Sequence, residues 1–410
     1  MSATSVGATT VPGAARLARR SKAFETSPWS DAWQLVADRP DGIYFGNGAP
    51  GAEAVPMDRL QEAAVRAWAE AAGNLDYGEL QGYQPLRELI ARRMAHRGVQ
   101  VDPDEIMVTN GSQQGIDLIA RLLVDPGDTV VIEGPTYIGA MQAFDAYETR
   151  YLIAPVDDEG IVVEELARLL DRAGAQPKLL YTVPTYQNPT GATQSPARRE
   201  ALLALCADRG IPVVEDDPYG ELYYGAPPPP ALRASDPNVF YLGSFSKTIA
   251  PGLRVGWMIA PRPLLKLLLM AKEGADVHSN RVAMRTVYHA AEGFLDEHVA
   301  GLRTHYRQRR DILLDGLRAH FPASVRWLEP EGGFFVWAEL PDGLSADDLL
   351  PVAASYGVAF LPGSYFYPPD QRRHSGFRLS YSSLPEPAID EGARRLGEAI
   401  AAFLASAERR

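Results

Sequence analysis

The sequence predicts an α/β protein in which a mostly parallel sheet is sandwiched by helices and is followed by a smaller α+β domain. From about Glu105, short runs that are apolar along most of their length alternate with segments of helical periodicity. This pattern is typical of parallel strands that are buried on both faces. From about residue 321 to the C-terminus, apolar and polar residues instead alternate, as they do in half-buried strands.

Composition narrows the range of functions. The chain has 410 residues, which is enough for two or more domains. The hydrophobic fraction of 46% and the charged fraction of 22% are typical of a globular protein. The formal net charge of -12 argues against a nucleic-acid partner and favours a small molecule. Cys206 is the only cysteine, so the chain has neither an intrachain disulfide nor a thiolate zinc cluster.

The N-terminal region resembles neither a membrane anchor nor a signal peptide. No stretch of the sequence approaches the roughly 18 apolar residues that cross a bilayer. Residues 1–13 are rich in Ala, Ser, Thr and Gly, and the basic residues that follow lead into no apolar core. We therefore expect residues 1–20 to form a flexible arm and the protein to be cytoplasmic and free of membrane.

Elements can be assigned in chain order. An amphipathic stretch at 29–36 precedes a short strand at 43–45 and a Gly/Pro turn, and helices are expected at 57–72 and 86–97. The strands expected in the large sheet are 106–108, 129–132, 179–183, 212–214, 239–242 and 255–259, and the helices between them are 114–123, 164–173 and 197–209. A long helical region then runs from 264 to about 320. In the smaller domain we expect strands at 325–327, 334–340, 358–361 and 377–381, and helices at 347–356 and 387–404.

Polar side chains follow most of the strands in the large sheet, at the edge where ligands bind in such folds. The turn 109–115 (TNGSQQG) leads into a helix, whose free amides and Ser112 form either an anion site or a plain capping turn. Tyr137 follows the next strand as a ligand-stacking ring or a core tyrosine. Asn188 lies in the turn after the third strand. Asp216 and Tyr219 follow the fourth; a metal site is the weaker alternative there, because no suitably spaced ligand accompanies them.

The stretch 241–257 (YLGSFSKTIAPGLRVGW) brings two serines, a lysine and an arginine to one strand end. Hydroxyls and cations at this position suit a phosphate, and Lys247 adds a nucleophilic amine. Taken alone, Lys247 could equally be a surface lysine in a turn. Together with the groups at the other strand ends, it completes the set that pyridoxal phosphate requires.

Eight motifs in order resemble the fold-type I, class I/II aminotransferases, over roughly residue 43 to the C-terminus. The resemblance is to the branch that contains 2-aminoadipate, kynurenine and aromatic aminotransferases and the catalytic domains of MocR-type regulators. The motifs are 82–87 (GYQPLR), 109–114 (TNGSQQ), 188–191 (NPTG), 216–219 (DDPY), 244–256 (SFSKTIAPGLRVG), 330–334 (PEGGF), 361–363 (LPG) and 377–380 (FRLS).

The resemblance implies a fold and a cofactor. The fold has a seven-stranded sheet in a large domain (54–295), a small domain (296–410), and an N-terminal segment (21–53) that joins the small domain. The cofactor is pyridoxal 5'-phosphate, and the protein is a homodimer with shared active sites. The implied reaction is ping-pong transfer of an amino group from an α-amino acid to a 2-oxo acid.

The resemblance also implies residue roles. Lys247 forms the Schiff base and carries the substrate proton, Asp216 pairs with the ring nitrogen, and Tyr137 stacks on the ring. Tyr219 and Asn188 reach the ring hydroxyl, and Asn188 also contacts the substrate. Gly48 lies in a loop that closes over the substrate, and Arg378 binds the substrate α-carboxylate. The cofactor phosphate is held by Gly111, Ser112, Gln113, Ser244, Ser246 and Arg254, and by Tyr83 of the neighbouring subunit.

Substrate and reaction outcome are less determined. Arg281 could bind a distal substrate carboxylate or be a surface charge, and Trp29 and Trp33 could belong to the core or to a substrate lid. β- or γ-elimination, decarboxylation and oxidative deamination are alternative outcomes on the same residues. A ligand-sensing domain of a transcription regulator is the non-enzymatic alternative.

Overall fold

The computed structural model describes residues 17–24, 28–71, 76–174 and 176–407. These residues contain fourteen strands: β1 (Ile43–Tyr44), β2 (Ile106–Thr109), β3 (Thr129–Gly134), β4 (Arg150–Asp157), β5 (Gly160–Ile161), β6 (Leu179–Thr182), β7 (Val213–Asp216), β8 (Phe240–Ser244), β9 (Gly256–Ile259), β10 (Arg326–Trp327), β11 (Phe335–Glu339), β12 (Val358–Ala359), β13 (Leu361–Pro362) and β14 (Gly376–Ser380).

Thirteen α-helices lie in the same described ranges: α1 (Pro28–Ala37), α2 (Met57–Ala71), α3 (Gln84–Met94), α4 (Ser112–Leu123), α5 (Ile138–Asp145), α6 (Val163–Ala173), α7 (Pro196–Asp208), α8 (Leu232–Ser235), α9 (Arg262–Asp276), α10 (Arg281–Ala291), α11 (Leu295–His320), α12 (Ala346–Ser355) and α13 (Glu386–Ala407). Short 3-10 helices, such as Arg19–Phe24, connect them. None of the described helices is long and apolar enough to cross a membrane.

The main sheet has the strand order β2-β9-β8-β7-β6-β3-β4-β5. Strands β4, β3, β6, β7 and β8 pair in parallel, and β9 is antiparallel to both of its neighbours. The predicted mostly parallel sheet is thus confirmed, with eight strands rather than seven. The two-residue strand β5, which returns antiparallel along β4, is the additional one.

The sequence patterns did not reveal β4. Its residues are mostly half-buried or exposed, and it begins at Arg150 and ends at Asp157. It lies near the sheet edge, where β5 covers it only at its last two positions. Because an edge strand is not buried along its length, the fully apolar run that identifies the central strands is missing here.

The C-terminal region has a second sheet in the order β10-β11-β14-β13, with every pair antiparallel. The expected strand at 358–361 is split into two: β12 pairs in parallel with β1, and β13 pairs with β14. Phe45 and Val36 share a hydrophobic core with Leu313 and Phe360. The N-terminal segment therefore packs against the C-terminal region of the chain.

Of the predicted arm at 1–20, the described ranges include residues 17–20. Residues 1–16 lie outside the described ranges. Arg19 begins a 3-10 helix, and its guanidinium pairs with the Glu148 carboxylate.

Candidate active site

A cavity of about 370 Å³ opens where the carboxyl ends of the parallel strands meet β11 and β14. The strands β2, β3, β6, β7 and β8 all end on this side, so the residues that follow them converge. Of the side chains proposed from sequence for the site, those that line the cavity are Gly48, Ser112, Gln113, Tyr137, Asn188, Asp216, Tyr219, Ser244, Ser246, Lys247, Arg254 and Arg378.

One end of the cavity is an anion cradle. Helix α4 begins at Ser112, and its first backbone amides have no partner inside the helix, which favours a bound anion. Gly111 precedes it with φ of +74° and ψ of 168°, a region that is essentially reserved for glycine. A side chain at Gly111 would also collide with the Arg254 guanidinium. Glycine is therefore required for Arg254 to lie against this turn.

The remaining donors of the cradle come from the turn after β8. Ser244 donates its hydroxyl to Ser246 Oγ at 2.8 Å, and the Ser246 amide donates to Ser244 Oγ at 3.1 Å. Arg254 has a left-handed backbone (φ of +54°) and donates from Nη2 to the Asn110 carbonyl at 3.3 Å. Hydroxyls, free amides and a guanidinium thus face one space, a combination that binds phosphate.

Asp216 ends β7 and is fully buried. Its Oδ2 accepts a hydrogen bond from the Tyr181 hydroxyl at 2.8 Å, whereas Oδ1 is buried and has no hydrogen-bond partner among the described residues. Burial raises the pKa of Asp216 to about 7, and the neighbouring Asp217 carboxylate adds to this rise while Tyr181 opposes it. An unpartnered buried carboxylate oxygen calls for a donor from a ligand.

Lys247 follows β8 and reaches across the cavity. Its Nζ donates to the Gly48 carbonyl at 2.8 Å and lies 5.9 Å from the Tyr219 ring centre. Burial, together with the cations of Arg378 and then Arg254, lowers the pKa of Lys247 to about 8.

Arg378 lies in the middle of β14 and is fully buried. Its guanidinium donates to Asn188 Oδ1 at 2.8 Å and to the Gly46 carbonyl at 2.6 Å, and it lies 4.1 Å from the centre of the Phe335 ring. Burial lowers the pKa of Arg378 to about 10. A guanidinium in such surroundings interacts strongly with a carboxylate, because little water screens the pair.

Two aromatic side chains complete the walls. Tyr137 is the residue before α5, and its hydroxyl lies 3.4 Å from Gln113 Oε1; burial raises its pKa to about 12. Tyr219 is buried edge-on against Phe335, with ring centres 5.8 Å apart. The wall above the Asp216 carboxylate is therefore aromatic and suits a flat ring.

Three sequence-proposed residues lie elsewhere in this chain. Tyr83 packs edge-on against Tyr288 (5.6 Å between ring centres) and beneath the Arg285 guanidinium (4.5 Å), outside the cavity lining. Arg281 donates to the Asp76 carbonyl at 2.6 Å. Trp33 is 46% exposed and contacts the Tyr44 ring, whereas the side chain of Trp29 lies outside the described part of the structure.

Comparisons with known proteins agree with this geometry. The model of the family "Aminotransferase class I and II" matches residues 40–396. The chain belongs to this family. It is 38% identical to aromatic-amino-acid aminotransferase 1 of Thermococcus litoralis (89% of each chain), and 39% identical to the 2-aminoadipate transaminase of Thermus thermophilus (90% of this chain, 93% of the relative). A crystal structure of Pyrococcus horikoshii kynurenine aminotransferase superposes with a TM-score of 0.89 at 37% identity, covering 95% of this chain and 98% of that one.

The protein is thus a pyridoxal phosphate-dependent aminotransferase that acts on amino acids and oxo acids. The cavity of this aminotransferase fits the cofactor. The unpartnered Asp216 Oδ1 suits a protonated ring nitrogen, and the cradle at the start of α4 suits a phosphate. In the described ranges, no group of three or more His, Cys, Asp or Glu residues is arranged to hold a metal ion.

Sequence reasoning missed several residues of the aminotransferase site. Glu133, the penultimate residue of β3, is fully buried and accepts from Thr182 Oγ1, the Val183 amide and Gln187 Nε2 at 2.6, 3.2 and 3.0 Å. Gln187 in turn accepts from Thr190, so Glu133 fixes the turn that carries Asn188. Burial raises the pKa of Glu133. A glutamate at a strand end was visible in the sequence, but nothing there linked it to this turn.

Proposed function

We propose that this cavity is the site where the aminotransferase moves an amino group between an α-amino acid and a 2-oxo acid by a ping-pong route. One observation carries the proposal: an amine, a carboxylate with an unpartnered oxygen, an anion cradle and a buried guanidinium all line a single cavity. Each of the four groups would bind or react with a different part of a phosphorylated, cationic ring joined to an amino acid.

The chain holds the cofactor at both ends in this proposal. Gly111, Ser112, Gln113, Ser244, Ser246 and Arg254 bind the phosphate, and Asp216 holds the ring nitrogen as a cation. Tyr137 covers the ring face, and Asn188 and Tyr219 reach the ring hydroxyl. When bound, pyridoxal phosphate supplies an aldehyde and an electron-withdrawing ring.

Lys247 is the nucleophile and the proton carrier. A lysine pKa near 8 leaves part of the amine neutral at neutral pH, as nucleophilic attack requires. With the cofactor and an amino acid bound, the same Nζ would take the proton from the substrate α-carbon and deliver it to the former aldehyde carbon of the cofactor. Its hydrogen bond to the Gly48 carbonyl supports this placement, because it aims the amine at the loop over the substrate.

Arg378 binds the substrate α-carboxylate. Asn188 and Gly46 hold one side of the guanidinium, and the Phe335 ring covers its face, so its orientation is fixed before substrate arrives. Preorganisation of this kind lowers the entropic cost of orienting the substrate. The carboxylate then directs the α-carbon towards Lys247.

The proposal extends to domains and subunits. Residues 54–295 form the large domain, and residues 21–53 join 296–410 in the small one, which is supported by the pairing of β1 with β12. We also propose a homodimer in which Tyr83 reaches the partner's phosphate. Val65 and Trp68 on α2 are exposed apolar side chains that such a subunit contact would cover. A cytoplasmic location stays a prediction.

A half-reaction tests the reaction type. Purified protein is mixed with single amino acids in the absence of an oxo acid, beginning with aromatic amino acids, kynurenine and 2-aminoadipate, the compounds in the relatives' names. Transamination gives one equivalent of oxo acid per site, with loss of the visible cofactor band. Repeated turnover that releases ammonia, carbon dioxide or peroxide would contradict the proposal.

Hybrid dimers test the subunit arrangement. Lys247→Ala and Tyr83→Ala subunits are co-expressed with different tags and the mixed dimer is isolated. If Tyr83 serves the partner's site, the mixed dimer has one intact site and regains about half of the wild-type activity, although neither homodimer has full activity. No recovery in the mixed dimer would show that Tyr83 acts within its own subunit.

A further inference from the structure

Lys272, on the inner face of α9, is a fully buried lysine outside the catalytic cavity. Its Nζ donates to both oxygens of Asp276, one helical turn further on, at 2.7 and 2.8 Å. Burial lowers the pKa of Lys272, and the Asp276 carboxylate opposes that effect. Fully buried lysines are rare unless they are paired, and Asp276 is the ion-pair partner of Lys272.

Asp276 has two further partners, one in the turn between β2 and α4 and one in the first turn of α4. Its Oδ2 accepts from Asn110 Nδ2 at 2.6 Å and from Gln114 Nε2 at 2.7 Å. Gln114 Oε1 also accepts from the Asn110 amide at 2.8 Å, which closes the turn on itself. Asn110 and Gln114 flank Gly111, Ser112 and Gln113, so one carboxylate fastens both ends of the anion cradle.

The same turn positions Arg254. The Asn110 carbonyl accepts from Arg254 Nη2 at 3.3 Å, while Asp276 holds the Asn110 side chain. A shift of Asn110 would therefore move both the cradle amides and a cationic phosphate donor.

The backbone after Asp276 is strained, which shows how firmly its position is determined. Val277 has φ of +64° and ψ of -57°, a conformation that a β-branched residue rarely adopts. The His278 amide donates to the Asp276 carbonyl at 2.7 Å, and the Ser279 hydroxyl donates to the Val108 carbonyl of β2 at 3.2 Å. Such strain persists where neighbouring contacts hold it.

Charge explains why the carboxylate needs a buried lysine. An isolated Asp276 carboxylate beside the cradle would repel a phosphate. Lys272 Nζ contacts both carboxylate oxygens, so the pair is close to neutral while Oδ2 still accepts the two amide hydrogen bonds.

We propose that Lys272 and Asp276 are positioning residues for the cofactor phosphate: Asp276 fixes the turn 109–114, and Lys272 cancels the charge that Asp276 would otherwise present to the phosphate. The inference rests on the proposed function, in which this turn and Arg254 hold the phosphate. It predicts a defect specific to the phosphate group rather than to folding or to the ring.

The test compares two ligands that differ only in the phosphate. Full-length protein freed of cofactor is titrated with pyridoxal phosphate and with pyridoxal, and binding is followed by absorbance. Asp276→Ala should weaken pyridoxal phosphate binding at least about tenfold and leave pyridoxal binding nearly unchanged. The reason is that the displaced turn and Arg254 lose charge-assisted hydrogen bonds to the phosphate, a group that pyridoxal does not have. Equal weakening of both ligands, or of neither, would overturn the inference.

A charge cycle gives a second reading if Asp276→Ala folds poorly. Lys272→Met leaves an uncompensated carboxylate and should lower the preference for pyridoxal phosphate over pyridoxal. Lys272→Met/Asp276→Asn removes both charges and should restore much of that preference. A double variant no better than Lys272→Met would contradict the charge argument. Lys266→Met, an exposed lysine on the same helix, is the matched control and should change neither affinity.

Arg254→Met separates this inference from the proposal on which it rests. If Arg254→Met lowers the preference for pyridoxal phosphate but the Lys272 and Asp276 variants do not, the phosphate site stands and the positioning role is wrong. If Arg254→Met also has no effect, the phosphate does not bind at this turn, and both proposals fail.

Discussion

Replacing Tyr181 by phenylalanine should shift the pH dependence of cofactor binding to higher pH. The Tyr181 hydroxyl donates to Asp216 Oδ2 at 2.8 Å, and both side chains are buried. This hydrogen bond stabilises the ionised carboxylate, which pairs with the cationic ring of the cofactor in our proposal. Without it, Asp216 keeps its proton to higher pH.

The size of the shift follows from the strength of one hydrogen bond. A hydrogen bond to a charged group contributes roughly 1.5–3 kcal/mol, and about 1.4 kcal/mol corresponds to one pH unit. The pKa of Asp216, which burial raises to about 7 in the native site, should therefore rise by about one to two pH units in Tyr181→Phe. Because the pKa of Asp216 is raised in the folded protein, the carboxyl group is neutral at pH values below that pKa and then binds the ring cation weakly. Above that pKa it is ionised and binds the cation well.

The assay is the dissociation constant of pyridoxal phosphate measured across the neutral pH range on cofactor-free protein. Asp216→Asn identifies the inflection due to Asp216, because that variant should lack it. Tyr241→Phe is the matched control: its hydroxyl donates to Asp217 Oδ2 at 3.0 Å, so an equally buried hydroxyl is lost beside the neighbouring carboxylate. An inflection that stays in place in Tyr181→Phe, or moves as far in Tyr241→Phe, would refute the reasoning.

Four further substitutions, at three positions, probe the other ends of the cavity. Lys247→Ala and Lys247→Arg should both abolish the half-reaction, because neither side chain offers a neutral amine, while the cofactor still binds without a covalent bond. Half-reaction rates and cofactor content measure the two effects. Residual turnover would contradict the role of Lys247 as nucleophile. Arg378→Lys should raise KM for amino acids about tenfold or more, since one of two parallel hydrogen bonds to the α-carboxylate is lost; an unchanged KM, measured in steady state, would exclude that contact. Gly111→Ala should lower the free energy of unfolding by about 1–3 kcal/mol because of its backbone conformation alone, and it should weaken phosphate binding by displacing Arg254. Chemical denaturation measures the first effect and cofactor titration the second. A variant as stable as the wild type would contradict the backbone argument.

The residues that we propose to contact the cofactor could be predicted from the sequence better than the residues that hold them in place. Lys247, Asp216 and Asn188 each follow an apolar strand, and parallel strands bring such residues to one edge, so their convergence could be predicted. Tyr181 could not, because inside an apolar run it looks like any core aromatic, and only the register of β6 against β7 brings it near Asp216. Lys272 and Asp276 were equally invisible, since their partners Asn110 and Gln114 are more than 150 residues away.

The same reasoning explains the strands that the sequence did not reveal and the one that the structure splits. Local periodicity finds a strand when one or both faces are buried along its length, as in β7. Strand β4 has a half-exposed pattern, and β5 is only two residues long, so neither carries that signal. The split of 358–361 into β12 and β13 depends on two different partner strands, which are set by the tertiary fold rather than by the local sequence.

Borohydride reduction of the holoenzyme, followed by peptide mass spectrometry, tests most directly whether Lys247 carries the cofactor. The sequence has five lysines: Lys22, Lys178, Lys247, Lys266 and Lys272. Lys247 is half-buried in the catalytic cavity, and Lys272 is fully buried in its ion pair with Asp276. We predict that the reduced cofactor is found on Lys247 alone, in one equivalent per chain. A label on Lys272 or on any other lysine, or no label on a protein that retains its visible cofactor band, would contradict the central claim.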